Sequence, residues 1–247
     1  FIRATMSGHL STTARLALGV GWIPAKALMQ SHPDSVLVKH FPNFVMAMAA
    51  QPELDRHPDL RHAFKDPKAW LKESARIRSE VLDKIVFRGG EAKKWRDAKP
   101  KVVWGKVIED LPGYRIRKLR FQILPGWWAP ALLYEPEKLS GKVPAIVNVN
   151  GHGREGKALD YKQVRCINLA KRGMLALNVE WIGMGQFKNR MGHYHLAQLD
   201  LCGVSGLAPF YLNCSRALDL LLEPPNADPE RVAVAGLSGG GWQTIFF

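Results

Sequence analysis

The chain is poor in cysteine. Its 247 residues include only Cys166, Cys202 and Cys214, and an odd, widely spaced set argues against a disulfide framework. The spacing is also unlike that of a zinc site, and all three cysteines stand in apolar or helical surroundings. We therefore predict buried free thiols, and we expect neither a metal nor any other cofactor.

Long apolar runs and segregated charge are missing as well. No stretch reaches the roughly 18 apolar residues of a membrane-spanning helix. The formal net charge is +13, but basic residues are interspersed with acidic ones, so neither nucleic acid nor membrane is an expected partner. Residues 15–27 have the outline of a signal peptide, although glycine interrupts the apolar part. A cytoplasmic and a secreted or periplasmic location both stay open.

The pattern of the chain changes near residue 100. Residues 1–65 are irregular, and Asp66-Pro67 then supplies the cap and first-turn residues of an amphipathic helix that Gly89-Gly90 ends. We predict a helical and irregular N-terminal extension over 1–100, followed by an α/β domain over 101–247.

The second part begins with three β-type segments joined by turns that contain Pro-Gly, which predicts an antiparallel meander. Strand-like and helix-like segments alternate after it, which predicts a mostly parallel sheet with right-handed crossovers. The predicted strands are 102–108, 114–124, 127–134, 143–150, 174–179 and 232–235, and the predicted helices are 160–171 and 204–222. We read Ala227-Asp228-Pro229-Glu230 as a polar turn, and 180–195 as a long loop. Reactive groups of such a sheet lie at the carboxyl ends of its strands.

The most informative segment is the last one. The apolar run 232–235 leads directly into Gly236-Leu237-Ser238-Gly239-Gly240, an order typical of strand, tight turn, serine and helix. Glycine is needed two residues before and after the serine because the turn packs backbone against backbone. The alternative is a glycine-rich turn whose serine has no chemical role. The strand before the motif and the helix-like segment upstream favour a nucleophile elbow.

With these motifs, residues 100–247 resemble the α/β-hydrolase superfamily, and more narrowly acetyl xylan esterase-like hydrolases with their dienelactone-hydrolase and prolyl-oligopeptidase relatives. The resemblance rests on the elbow and on four further segments: Asn150-Gly151-His152-Gly153, Gly183-Met184-Gly185, Arg216-Ala217-Leu218-Asp219 and Asp228-Pro229-Glu230-Arg231-Val232. Glu180 departs from the aspartate that relatives often carry, which leaves the hydrogen bonding of that loop open.

The resemblance implies roles for particular residues. Ser238 is the expected nucleophile, and the expected oxyanion donors are the amide of Gly239 and that of Arg154, with Gly153 as the alternative to Arg154. His152 is expected to support its loop. His193 and His195 are expected to pack in loops or face solvent. In the superfamily the acid and the base follow the serine in the sequence. Asp200 and Asp219 precede Ser238, so they are poor candidates for the acid.

The acid and base are therefore expected beyond Phe247, and the fold is expected to be incomplete after the elbow, which predicts that this chain alone is inactive. The predicted function is hydrolysis of a carboxylic ester, either a small molecule or a polysaccharide, through an acyl-enzyme on Ser238. A prolyl-oligopeptidase-type peptidase and a non-catalytic binding protein are the alternatives. The oligomeric state stays open.

Overall fold

The computed structural model describes residues 67–187 and 192–247. The chain divides into two compact units, Phe1–Ile77 and Arg78–Phe247. Helix α1 (Pro67–Glu80) continues as a π-helical turn, Val81–Val86. The helix predicted up to Gly89-Gly90 is thus present but changes pitch in its last turns, and its predicted cap, Asp66, lies outside the described residues. A short helix, α2 (Gly90–Asp97), follows.

A mixed sheet of six strands forms the framework of the second unit. Its strands are β1 (Val102–Leu111), β2 (Tyr114–Leu124), β3 (Trp127–Pro136), β4 (Val143–Asn148), β5 (Leu175–Val179) and β6 (Ala227–Ala235). Their spatial order is β1-β2-β3-β5-β4-β6. The first three strands form the predicted antiparallel meander, which joins β5 in antiparallel fashion, whereas β4 pairs in parallel with β5 and β6. The predicted α/β class with a meander is confirmed.

Helices cover both faces of the sheet. Helix α3 (Asp160–Lys171) connects β4 to β5 and buries Cys166 and Ala170 against Tyr134 and Ala176 on one face. Helix α4 (Leu207–Leu222) precedes β6 and packs on the other face, in the larger core that includes Leu175 and Leu177. Because alternate residues of a strand point to opposite faces, β5 contributes to both cores and is fully buried.

Several predicted boundaries were wrong. The segment 227–230 belongs to β6, and the ladder is irregular between the pairs Val143↔Ala227 and Ala145↔Val232, so a polar turn-like sequence continues the strand across a bulge. Helix α4 begins at Leu207 instead of 204, and β4 ends at Asn148 instead of 150. The predicted loop 180–195 contains the 3₁₀ turn Gly185–Phe187, and a 3₁₀ helix begins at His193 and runs to Cys202.

The cysteines are free, but only two of them are buried. Cys166 and Cys214 are inside, and burial raises the pKa of each thiol to about 12. Cys202 is exposed, which corrects the prediction of three buried thiols. Within the described residues, no helix combines the length and apolar character needed to cross a membrane.

Candidate active site

The elbow at the end of β6 has an unusual backbone. Ser238 has φ 58° and ψ −119°, and the only other non-glycine residue with positive φ in the described ranges is Asp110. Ser238 is the N-cap residue of helix α5 (Gly239–Phe246), and it is exposed. Such a conformation costs about 1–3 kcal/mol, and it persists only when the surrounding packing fixes it. A strained, exposed serine at a helix N-terminus is the central observation at this site.

Close backbone packing explains the two glycines that flank the serine. A Cβ atom on Gly236 would lie 2.3 Å from the carbonyl carbon and oxygen of Gly240. A Cβ atom on Gly240 would lie 2.6 Å from the carbonyl oxygen of Val149, the residue directly after the neighbouring strand β4. Both contacts are too short for any side chain, so the turn can form only with glycine at these positions, as predicted from the motif.

The loop after β4 reaches the elbow. A Cβ atom on Gly151 would lie 2.8 Å from the amide nitrogen of Gly239 and 3.0 Å from that of Gly240. The amide of Gly240 already donates to the carbonyl of Leu237 at 2.9 Å. The amide of Gly239, by contrast, is among the first N–H groups of α5, which have no partner within the helix and carry its positive dipole end. An anion at this place would be favoured.

Hydrogen bonds fix the backbone on both sides of Arg154. The carbonyl of Gly153 accepts from the amide of Gly156 at 2.8 Å, and the carbonyl of Arg154 accepts from the amide of Gly185 at 3.1 Å. Lys162, buried on α3, donates from Nζ to the carbonyl of Gly151 at 3.0 Å. Burial lowers the pKa of this lysine, although the Glu180 carboxylate works in the opposite direction. The loop is therefore held by defined contacts along its length.

Two histidines meet at the rim of the site. The Nε2 atoms of His152 and His193 lie 3.1 Å apart, and both rings contact the indole of Trp181, with ring centroids 5.4 and 5.6 Å away. Burial and the neighbouring His152 lower the pKa of His193. His195 is exposed and is not part of this cluster. His152 lies in the loop after β4, whereas His193 is the first residue of the 3₁₀ helix that runs to Cys202.

Trp181 forms the wall between the histidines and the elbow. A Cβ atom on Gly239 would lie 2.4 Å from Cη2 of this indole, so the ring packs directly on the residue after the serine. The indole is buried, and its Nε1 has no hydrogen-bond partner in the described ranges. Sequence reasoning missed Trp181, because a tryptophan after a buried strand has no distinctive pattern.

The predicted residues are only partly brought together. Gly151 and Gly239 lie in contact, and Gly153, Arg154 and His152 belong to the same loop. Across residues 67–187 and 192–247, the Ser238 hydroxyl makes no hydrogen bond, and His152 bonds to His193 instead. Asp200 pairs with Arg88 on the surface, and Asp219 is exposed.

A buried carboxylate is the main feature of the site whose contacts the sequence did not predict. Glu180, 1% exposed, follows β5 and accepts hydrogen bonds from the Lys157 side chain at 2.8 Å and from its amide at 2.7 Å. An acidic residue directly after a fully buried strand was the available signal. In the described ranges, no three His, Cys, Asp or Glu side chains are grouped as a metal site would require.

Comparison with family models and with curated proteins gives no significant match. Solved structures do match. A candidate acetyl xylan esterase from Bacteroides fragilis superposes with a TM-score of 0.59 at 22% identity, over 73% of this chain and 50% of that one. A methylesterase gives 0.60 at 22% identity, over 78% and 42%.

Acetyl xylan esterase 1 from a Thermoanaerobacterium species gives a TM-score of 0.51 at 20% identity, over 63% of this chain and 50% of that one. The chain thus spans half or less of the length of these solved structures. The likeness, together with the sheet order and the strand–elbow–helix geometry, shows that the chain has the α/β-hydrolase fold.

Proposed function

We propose that this chain carries the nucleophile-bearing part of a serine hydrolase that cleaves carboxylic esters. Ser238 attacks the acyl carbonyl, the alkoxy group leaves with a proton, and water then hydrolyses the acyl-enzyme to release the acid. The observation that supports this most directly is the exposed Ser238 in a strained conformation at the N-terminus of α5. A turn without a chemical role gains nothing from that strain.

Two backbone amides are proposed to stabilise the oxyanion. The first is the amide of Gly239, which has no partner within its helix because of its position in the first turn. The second is the amide of Arg154, with that of Gly153 as the alternative, since Gly151 of the same loop packs against Gly239. Removal of one such donor costs an enzyme of this kind about 100- to 1,000-fold in turnover.

Ester chemistry is the favoured substrate class. The solved structures that share the fold include two proteins named as acetyl xylan esterases and one named as a methylesterase. All three names refer to a carboxylic ester with a small acyl or alkyl part. We extend only that common chemistry to this chain, with either a small-molecule or a polysaccharide leaving group.

The general base and its acid are proposed to lie beyond Phe247. In the described ranges His152 and His193 bind each other, and no imidazole forms a hydrogen bond with Ser238. A serine that lacks its base keeps only the contribution of the oxyanion donors and of substrate binding. This chain on its own is therefore proposed to be inactive.

Fluorophosphonate labelling and hydrolysis of p-nitrophenyl acetate by the complete protein test the proposal. Both should be lost in Ser238→Ala and kept in Ser140→Ala, a control at an exposed serine before β4. Esterase activity that survives Ser238→Ala would overturn the proposed role of this serine. Turnover of an aminoacyl-proline amide but not of acetyl esters would favour a peptidase, and no labelling at all would favour a binding protein.

A further inference from the structure

The contacts around Glu180 point to a task for this buried acid that goes beyond stability. We infer that Glu180 is a positioning residue. It holds in place two backbone hydrogen bonds, from Gly156 N–H to the Gly153 carbonyl and from Gly185 N–H to the Arg154 carbonyl, which fix the peptide groups on either side of Arg154. The inference rests on the proposed function, because it concerns the orientation of the amide proposed as the second oxyanion donor.

The peptide group between Gly153 and Arg154 contains the carbonyl of Gly153 and the N–H of Arg154, which point in opposite directions in a trans peptide. The carbonyl accepts from the amide of Gly156 at 2.8 Å. Any movement that turns the Arg154 N–H away from its present direction must therefore break this bond.

Glu180 supports the backbone that makes this bond. The amide of Lys157, the residue after Gly156, donates to Oε1 of Glu180 at 2.7 Å. A Cβ atom on Gly156 would lie 2.0 Å from the same oxygen, so the carboxylate packs directly against the backbone that donates to Gly153. The carboxylate thus holds the tight turn that fixes the Arg154 N–H.

The carbonyl of Arg154 is held in a similar way. It accepts from the amide of Gly185 at 3.1 Å, and the next amide, that of Gln186, donates to Oε2 of Glu180 at 3.3 Å. A Cβ atom on Gly185 would lie 2.4 Å from that oxygen. One carboxylate therefore holds the donors of both hydrogen bonds that flank Arg154, although they belong to loops after two different strands.

Charge explains why an acid suits this position. The carboxylate is deeply buried, and the ammonium of Lys157, also buried, lies 2.8 Å from Oε2 and also bonds to the Gln186 side chain. A carboxylate can accept all of these donors at once, whereas the amide of glutamine has one acceptor oxygen and would turn an NH₂ group towards one of the donors. Glu180→Gln is therefore expected to release at least one of the two loops.

The experiment compares wild-type complete protein with Glu180→Gln. We expect kcat for p-nitrophenyl acetate to fall about tenfold to a hundredfold with a smaller change in KM, because an oxyanion donor acts mainly in the transition state. Affinity for a boronic acid that forms a tetrahedral adduct on Ser238 should fall by a similar factor. A purely structural role would lower the Tm but would leave kcat and this affinity unchanged for the folded fraction.

Two further variants keep the test decisive. Lys157→Met/Glu180→Gln removes the unpaired buried cation that could prevent Glu180→Gln from folding, and it should show the same loss in kcat. Glu135→Gln is the matched control, because Glu135 is also a buried acid, paired with Arg115 and Arg117, but lies beside the amino end of β5, away from the elbow. It should change stability and leave kcat unaltered.

The outcomes separate the two proposals. If Ser238→Ala abolishes turnover while Glu180→Gln and the double variant keep wild-type kcat and boronic acid affinity, the positioning role is wrong and the proposed function stands. If Ser238→Ala keeps turnover, the proposed function fails first, and the positioning role fails with it.

Discussion

At the scale of single residues, Ser238 combines chemical use with an energetic cost. Its φ of 58° and ψ of −119° lie in a region that only glycine occupies without strain. The strain is tolerated because Gly236, Gly240 and the end of β4 pack so tightly around the turn. The strained turn lowers the stability of the fold, and it holds the serine hydroxyl away from the sheet.

Replacing the serine by glycine should therefore give a more stable protein than replacing it by alanine. We expect Ser238→Gly to raise the free energy of unfolding by about 1 kcal/mol relative to Ser238→Ala, because alanine keeps the strain while glycine relieves it, less the entropy that glycine loses on folding. Urea denaturation of the two variants measures the difference. A glycine variant no more stable than the alanine variant would show that the elbow is unstrained.

At the scale of secondary structure elements, one side chain joins three of them. Arg216 on α4 is buried, and its guanidinium donates to the carbonyls of Gln122 and Ile123 in β2 and of Trp95 and Ala98 at the end of α2. Burial lowers its pKa. No shorter or apolar side chain can satisfy four carbonyls that diverge in this way.

Arg216→Met should consequently cost about 3 kcal/mol of stability, because it leaves buried carbonyl groups without donors. Arg216→Lys should recover only part of this loss, since an ammonium lacks the planar fork of the guanidinium. Arg172→Lys, at the exposed residue that follows α3, is the control, with an expected change within about 0.5 kcal/mol. Chemical denaturation compares the three, and a neutral Arg216→Met would contradict the assignment.

The contact between His152 and His193 should also make the stability of the fold depend on pH. The folded state lowers the pKa of His193 below the unfolded value of about 6.5. Between the lowered pKa and about 6.5 the unfolded chain binds more protons, so stability rises with pH through this window and is lost on acidification. Burial of the His193 ring is the larger cause of this lowered pKa, and the neighbouring His152 is the second.

Unfolding free energies at pH 5 and pH 7.5 test this dependence. The difference between the two values should be smaller in His193→Gln than in the wild type, whereas His195→Gln, at an exposed position of the same 3₁₀ helix, should keep the wild-type difference. Equal pH dependence in the wild type and in His193→Gln would exclude His193 as its source.

At the scale of the whole molecule, features set by local sequence patterns could be predicted, whereas contacts between distant residues could not. The elbow, the meander and the strand–helix alternation follow from residues a few positions apart, so the sequence was sufficient to predict them. The contact of Glu180 with Lys157 joins residues 23 apart. Trp181 follows β5 and meets Gly239, which follows β6, across the end of β4, the strand between them. Strand order is a property of the assembled sheet, which explains why the sequence did not predict these contacts.

The reactivity of the three thiols also depends on the whole fold. Cys166 of α3 is buried against one face of the sheet and Cys214 of α4 against the other, while Cys202 is exposed. In native buffer iodoacetamide should modify Cys202 within minutes, and peptide mass spectrometry should find the other two nearly unmodified, because burial suppresses both access and thiolate formation.

With rising urea, Cys166 and Cys214 should become reactive at the same midpoint if the shared sheet makes both cores one cooperative unit. Because β5 contributes buried side chains to both faces, neither face can open without exposing the strand that supports the other. Separate midpoints would show that the two layers unfold independently. In that case the sheet, although continuous in its hydrogen bonding, would not transmit stability from one face to the other.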